Sequence, residues 1–252
     1  MGNVEVAGII SMCDFPLAPL VAVKLGLYVD YLVLGYDVTK GVFEGTGKGG
    51  MYHYNILRSI NPFKIPVDHF VIESEEEGSK AEACLRRLDN IAPKYVFHSD
   101  SDEVFPLDDT KFWKEFADFK KSDKMYMDFE FVMASVNDQS VPKSPLVRHG
   151  RIFKWRQGVS YGKYGERIRG IPRYNGVLSD KVFHASSKIF HYWAFYPEWE
   201  KRKAFHWLRR GESRRQMEDR WKAGGVLERL EGFIREYDEL KGVLNEMSCY
   251  WG

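Results

Sequence analysis

Asp100-Ser101-Asp102-Glu103 places three carboxylates within four consecutive positions. Acids this close repel one another, and each disfavours ionisation of its neighbours. A hard divalent cation that takes oxygen ligands from the group relieves that repulsion. A cation held in this way can also grip a diphosphate and stabilise it as a leaving group. The plainer reading is an exposed helix-capping turn, and Asp108-Asp109 shows that the chain uses acidic turns elsewhere. Context separates the two. The cluster follows Tyr95-Val96-Phe97, a short apolar run of buried-strand character, and runs into Val104-Phe105.

Other residues could contribute chemistry. Asp14 and Asp37 each follow an apolar, strand-like run. Asp128 and Glu130 lie in Met125–Ala134, which alternates aromatic, apolar and acidic residues as a strand with one wetter face does. His191 stands in the aromatic run Ile189-Phe190-His191-Tyr192-Trp193; a lone histidine in such a run is more often a hydrogen-bonded core residue than a ligand. His98 directly precedes the acids, with its direction left open by the sequence. Gly45-Thr46-Gly47-Lys48-Gly49-Gly50 invites a phosphate-loop reading, but Val42 and Gly49 occupy the places of the required Gly and Ser or Thr.

The elements that must position these groups follow from periodicity. Val4–Met12 and Tyr31–Tyr36 read as buried strands, and His69–Ile72 and Lys94–His98 as a third and a fourth strand. Pro16–Leu27, with Asp14 as its cap, the stretch to about Ile60, and Ser79–Ile91 read as helices. This alternation predicts an α/β fold with a mostly parallel central sheet flanked by helices. Ligands of such sheets bind at the carboxyl ends of the strands, where Asp14, Asp37 and the acidic cluster fall. Further on, Arg151–Trp155 and Val159–Tyr161 read as a hairpin, and Lys188–Trp193 as a short strand. Helix is expected from Pro197 to the end. Val226, Leu230, Phe233, Tyr237, Leu240, Leu244 and Met247 form a heptad seam there, read first as a face docked on its own domain and second as a homodimer contact.

In that order the pieces resemble the family-two-like glycosyltransferases of the GT-A (Rossmann-like) fold. Tyr95-Val96-Phe97-His98-Ser99-Asp100-Ser101-Asp102-Glu103-Val104-Phe105 resembles their strand ending in Asp-x-Asp-Glu. Gly8–Asp14 and Val33–Asp37 resemble the family's first and second strands with their turns, and Arg151-Ile152-Phe153-Lys154, Tyr164-Gly165-Glu166, Ile189–Trp193 and Lys203 resemble its basic-aromatic strand, its His-Glu turn and its late His and Lys, in sequence order. The resemblance implies that Asp14 and Asp37 hold the nucleoside and that Lys203 meets the donor diphosphate. It implies that Asp102 is the principal metal carboxylate, that His191 reaches the metal or diphosphate from the far side, and that Asp100 lies near the ribose or the metal. Glu166 would be the catalytic base, with Gly165 where the family has His, and Asp128 and Glu130 are rival bases. The implied cofactor is Mn²⁺ or Mg²⁺, the implied donor a UDP-sugar or related nucleotide sugar, and the implied outcome inversion. Thr39-Lys40 stands where the family carries a second acid, which leaves the nucleotide base open.

Composition bounds the rest. The chain has 252 residues, is 44% hydrophobic and 29% charged, and carries a formal net charge of +1. That balance gives no global electrostatic case for nucleic acid. Lys201, Arg202, Lys203, Arg209, Arg210, Arg214, Arg215 and Arg220 form a basic stretch, but Glu212, Glu218 and Asp219 dilute it. The three cysteines, Cys13, Cys84 and Cys249, are dispersed and suggest a reducing, cytoplasmic setting. The expected division is a GT-A-like domain over 1–195, with a nucleotide half over 1–105 and an acceptor half over 106–195, followed by a helical extension over 196–252. No apolar run approaches the roughly 18 residues of a membrane span. The acceptor, whether glycan, lipid, protein or modified nucleic acid, is not specified. Two other readings stay open: a nucleotidyltransferase or phosphohydrolase using the same acids, and a non-catalytic nucleotide- or glycan-binding domain.

Overall fold

The computed structural model describes residues 3–12, 17–37, 49–72, 77–133, 148–161, 173–174, 181–192 and 235. The chain forms two compact units. The first comprises Met1–Gly41, Lys48–Val132 and Leu146–His191; the second comprises Val42–Gly47, Met133–Pro145 and Tyr192–Gly252, of which only Met133, Tyr192 and Arg235 are described. The heptad seam of the expected terminal helix therefore lies outside the described residues, as do residues 45–48 of the glycine-rich stretch, whose Gly49 and Gly50 open a helix.

The first unit opens with β1 (Val6–Met12), α1 (Ala18–Gly26), β2 (Tyr31–Asp37), α2 (Gly49–Ile60), β3 (Val67–Ile72), α3 (Glu77–Arg86) and β4 (Tyr95–Asp100). These strands pair in parallel in the order β3-β2-β1-β4. β1 and β2 are buried almost throughout, which is why their sequences are continuous apolar runs without alternation. On one face Ala81, Cys84, Leu85 and Leu88 of the α3 region pack on Ala7, Ile9, Val33 and Val96. Gly35 makes this possible: a Cβ there would lie 2.5 Å from Ile72 Cδ1 and 2.7 Å from Cys84 Sγ. Helix α1 begins at an N-cap Leu17 that makes no side-chain cap bond, with a Pro in its first turn, so Asp14 is not its cap.

The chain continues with β5 (Glu103–Val104), α4 (Thr110–Lys121), β6 (Tyr126–Met133), β7 (Arg148–Lys154), β8 (Val159–Ser160), β9 (Arg173–Tyr174) and β10 (Val182–His191). The full sheet has eight strands, β3-β2-β1-β4-β7-β6-β10-β5. β7 joins antiparallel to β4 and to β6, and β5 joins antiparallel to β10. β10 follows β6 in the same direction, since Tyr126 meets Lys181, Asp128 meets His184 and Phe131 meets His191 in turn.

The expected hairpin of 151–155 with 159–161 does not form. β7 is a central strand between β4 and β6, and β8 pairs with β9 in a separate two-stranded sheet. Helix α4 was not anticipated from the sequence. Asp109 caps it, accepting from Lys111 N at 2.8 Å, and Phe112, Phe116 and Phe119 are buried on one face. These rings meet Phe97 of β4, Phe129 of β6 and Phe183 of β10, so α4 covers the sheet's junction between parallel and antiparallel halves. Among the described residues no helix is long and apolar enough to cross a membrane.

Candidate functional site at the carboxyl end of β4

The parallel strands β1, β2 and β4 end at Met12, Asp37 and Asp100, and Ser11 of β1 lies beside Asp100 in register. After Asp100 the chain turns through Ser101 and Asp102 and enters β5 at Glu103, opposite His191 of β10. The acidic cluster therefore sits where β4 hands over to the short strand that reaches β10. The turn is closed from within: the Asp100 backbone N–H donates to Glu103 Oε2 at 3.1 Å, and the Ser99 hydroxyl donates toward the Asp100 and Glu103 carbonyls.

The three acids have different surroundings. Glu103 is 1% exposed and Asp102 and Asp100 are progressively more open. Arg151, buried on β7, donates from Nε to Glu103 Oε2 at 2.7 Å and from Nη2 both to Glu103 Oε1 and, at 2.8 Å, to Asp100 Oδ2. Its guanidinium lies over the Phe131 ring, 5.3 Å from the centroid. Burial pushes the Glu103 carboxyl up, to about 7, against the pull of the Arg151 charge and with a further rise from Asp100. Burial works against the Arg151 charge too, but Glu103 and Asp100 outweigh it and hold the guanidinium firmly protonated. With three hydrogen bonds converging on Glu103, the ionised pair is the state the geometry favours.

Asp102 turns the other way. Its Oδ2 lies 3.2 Å from Nε2 of His191, and both side chains are mostly buried. The His191 ring leans on Phe131 at 5.6 Å, and Phe131 stacks on His149 at 4.6 Å. Two ligands on a cation at about 2.1 Å each, at a right angle, stand about 3.0 Å apart. The Asp102–His191 pair fits that spacing and offers one oxygen and one nitrogen. Among the described residues no three His, Cys, Asp or Glu side chains form a complete ligand group.

The other candidate residues are placed as follows. Asp37 is 1% exposed and forms an ion pair with buried Lys80 of α3. The start of α2 closes over it; a Cβ on Gly50 would stand 3.0 Å from Asp37 N and O and 3.1 Å from Met12 O. Asp128 accepts from Arg148 at 2.8 Å and lies 2.9 Å from Nδ1 of His184, and Glu130 pairs with Lys188 at 3.0 Å. These two acids belong to a network across β7, β6 and β10, separate from the Arg151 network. His98 is buried, with Nδ1 2.6 Å from the Tyr161 hydroxyl. Asp14, Glu166 and Lys203 lie outside the described residues. Sequence reasoning quoted Arg151 only as part of a strand and did not assign it to the site; its type and its alternation with apolar Ile152 were the available signals.

No family model matches the chain, and no curated protein matches it. Solved structures with similar chain paths include HddC from Yersinia pseudotuberculosis, at TM-score 0.43 and 12% identity over 74% of this chain and 93% of that one. S. aureus TarS 1-349 in complex with UDP-GlcNAc has TM-score 0.44 and 12% identity over 78% of this chain and 60% of that one. The inositol-1-phosphate CTP transferase from T. maritima has TM-score 0.42 and 12% identity over 84% of this chain and 99% of that one.

Proposed function

We propose that the chain is an inverting, Mn²⁺- or Mg²⁺-dependent glycosyltransferase that moves a sugar from a nucleoside-diphosphate sugar, with a UDP-sugar favoured by the family resemblance, to an acceptor hydroxyl. The observation that carries this reading is the meeting of Asp102 and His191, 3.2 Å apart, from a strand-end turn and a distant strand at the carboxyl edge of the parallel sheet. That edge is where α/β sheets bind nucleotides. Asp102 and His191 would hold a divalent cation, and a cation there would supply positive charge against a departing diphosphate.

In the transfer itself the acceptor oxygen forms a bond to the anomeric carbon on the face opposite the diphosphate. The bond from that carbon to the diphosphate oxygen breaks, and its electron pair leaves with the nucleoside diphosphate. The acceptor proton passes to a carboxylate. Glu166 holds that role by resemblance. Asp128 and Glu130 are the rival candidates, and each is already engaged in an ion pair, with Arg148 and with Lys188.

The test is thermal stability with a panel of nucleoside diphosphates and nucleotide sugars, with and without Mn²⁺, followed by product analysis. A metal-dependent rise with one nucleotide, lost in Asp102→Ala, and release of nucleoside diphosphate are expected. A hundredfold excess over the dissociation constant corresponds to about 2.7 kcal/mol of stabilisation. Pyrophosphate release from a nucleoside triphosphate and a sugar phosphate, with no nucleoside diphosphate released from the nucleotide sugars, would move the assignment to nucleotidyl transfer, and undiminished turnover in Asp102→Ala would remove Asp102 from the site.

A further inference from the structure

We propose that Arg151 is a positioning residue that decides which carboxylates of the acidic turn a cation can reach. The proposal rests on the cation site of the glycosyltransferase reading and deepens it. Three carboxylates in one turn offer a divalent ion several ways to bind. Arg151 removes most of them. Its two-sided grip uses Oε1 and Oε2 of Glu103, and Oε2 also accepts the Asp100 backbone N–H at 3.1 Å. Glu103 cannot turn toward a cation without breaking a buried ion pair whose partners are 6% and 1% exposed at their side chains. The same guanidinium holds Oδ2 of Asp100 at 2.8 Å.

Phe131 fixes the guanidinium plane from its face while the acids fix it from its edge. Arginine suits this place because its planar fork meets two carboxylates at once, which a lysine ammonium does not do. Asp102, whose Oδ2 lies beside His191, is the carboxylate directed to the cation. Arg151 also cancels one of the turn's three negative charges. A bare divalent cation therefore meets one directed carboxylate in a weakened field, and binds firmly only when nucleotide oxygens complete its shell.

The experiment measures Mn²⁺ binding to the full chain without nucleotide, from the electron paramagnetic resonance signal of free Mn²⁺, with circular dichroism as the fold control. Arg151→Gln keeps an amide donor near Glu103 and removes the charge. Bare Mn²⁺ affinity is expected to rise on the order of tenfold, within the range by which groups behind metal ligands alter affinity. A merely structural role predicts the opposite, a fall as the site loosens. Glu103→Gln, nearly isosteric, leaves the Arg151 charge less compensated beside the site and is expected to weaken bare Mn²⁺ binding; it carries the test should Arg151→Gln not fold. Unchanged or weaker binding in folded Arg151→Gln, or unchanged or tighter binding in Glu103→Gln, overturns the proposal. Asp102→Ala separates the two levels of the argument. Loss of Mn²⁺ binding in Asp102→Ala together with an inert Arg151→Gln overturns the positioning role alone. Mn²⁺ binding that survives Asp102→Ala with Arg151 in place overturns the cation site with it.

Discussion

The Asp37–Lys80 pair permits a quantitative test of how the carboxyl edge of the sheet is held. Asp37 ends β2, Lys80 comes from α3, and their side chains are 1% and 4% exposed. Removing either charge from water costs several kcal/mol, offset here by the partner. Lys80→Met keeps the aliphatic stem and leaves the Asp37 carboxylate buried beside an apolar group. Breaking one side of such a pair costs about 3–5 kcal/mol. With a urea slope of about 2 kcal/mol per molar, the unfolding midpoint falls by about 2 M. Asp37→Asn in the Lys80→Met background removes the buried charge that has lost Lys80, so the double variant recovers part of the loss. The coupling between the two sites, read from the four unfolding curves, is expected at the upper end of the 0.5–3 kcal/mol seen for residues in contact. A loss below about 1 kcal/mol for Lys80→Met, or additivity within about 0.5 kcal/mol, would refute the argument, because neither is compatible with two desolvated charges that depend on each other.

His69 and Gly35 give two further tests. His69 accepts from or donates to the Tyr36 hydroxyl through Nδ1 at 2.8 Å, with Arg58, Tyr54 and Phe63 around it. Burial first, and then the Arg58 charge, hold its pKa below the ordinary 6.5, while Asp68 opposes them. The unfolded chain thus binds its proton more readily, and the stability His69 contributes is present above pH 6.5 and lost as the pH falls through the folded value. Urea unfolding of His69→Gln at pH 7.5 and 5.0 should show a smaller loss on acidification than the parent; an equal loss refutes the assignment. Gly35→Ala places a Cβ 2.5 Å from Ile72 Cδ1 and 2.7 Å from Cys84 Sγ, an overpacking expected to cost about 1–3 kcal/mol. Cys84→Ala in the same chain should recover part of that cost in thermal unfolding, and no recovery would place the strain elsewhere.

The parallel half of the sheet was legible in the sequence because burial on both faces leaves a short-range signature. Val6–Met12, Tyr31–Asp37 and Tyr95–Asp100 are runs that only a covered strand tolerates. Strand pairing beyond them was not legible. The proximity of 151–155 to 159–161 suggested a hairpin, whereas β7 takes its partners from β4 and β6 and β8 takes β9; partner choice depends on burying β7 on both sides, which no local pattern reports. Helix α4 carried a readable signal in Asp109 and the spacing of Phe112, Phe116 and Phe119. Its phenylalanines, as suited to strand as to helix, gave that signal little contrast.

The acidic turn shows how a sound local argument can stop one residue short. Three carboxylates in four positions behind a buried strand point to a compensating positive charge more than to a surface turn, and that reading follows from the sequence alone. The identity of the charge does not. Arg151 stands 48 residues after Glu103 and reaches it only because β7 inserts beside β4. Its presence divides the turn's carboxylates between two tasks. Glu103 and part of Asp100 keep the turn in shape, while Asp102 faces His191. Neutralising every acid with a fixed arginine would have left nothing to attract a cation, and neutralising none would have left the turn unstable in its absence. A site that folds empty and binds a charged ligand afterwards needs an intermediate arrangement, and under the proposed cation site the Arg151 network is that arrangement.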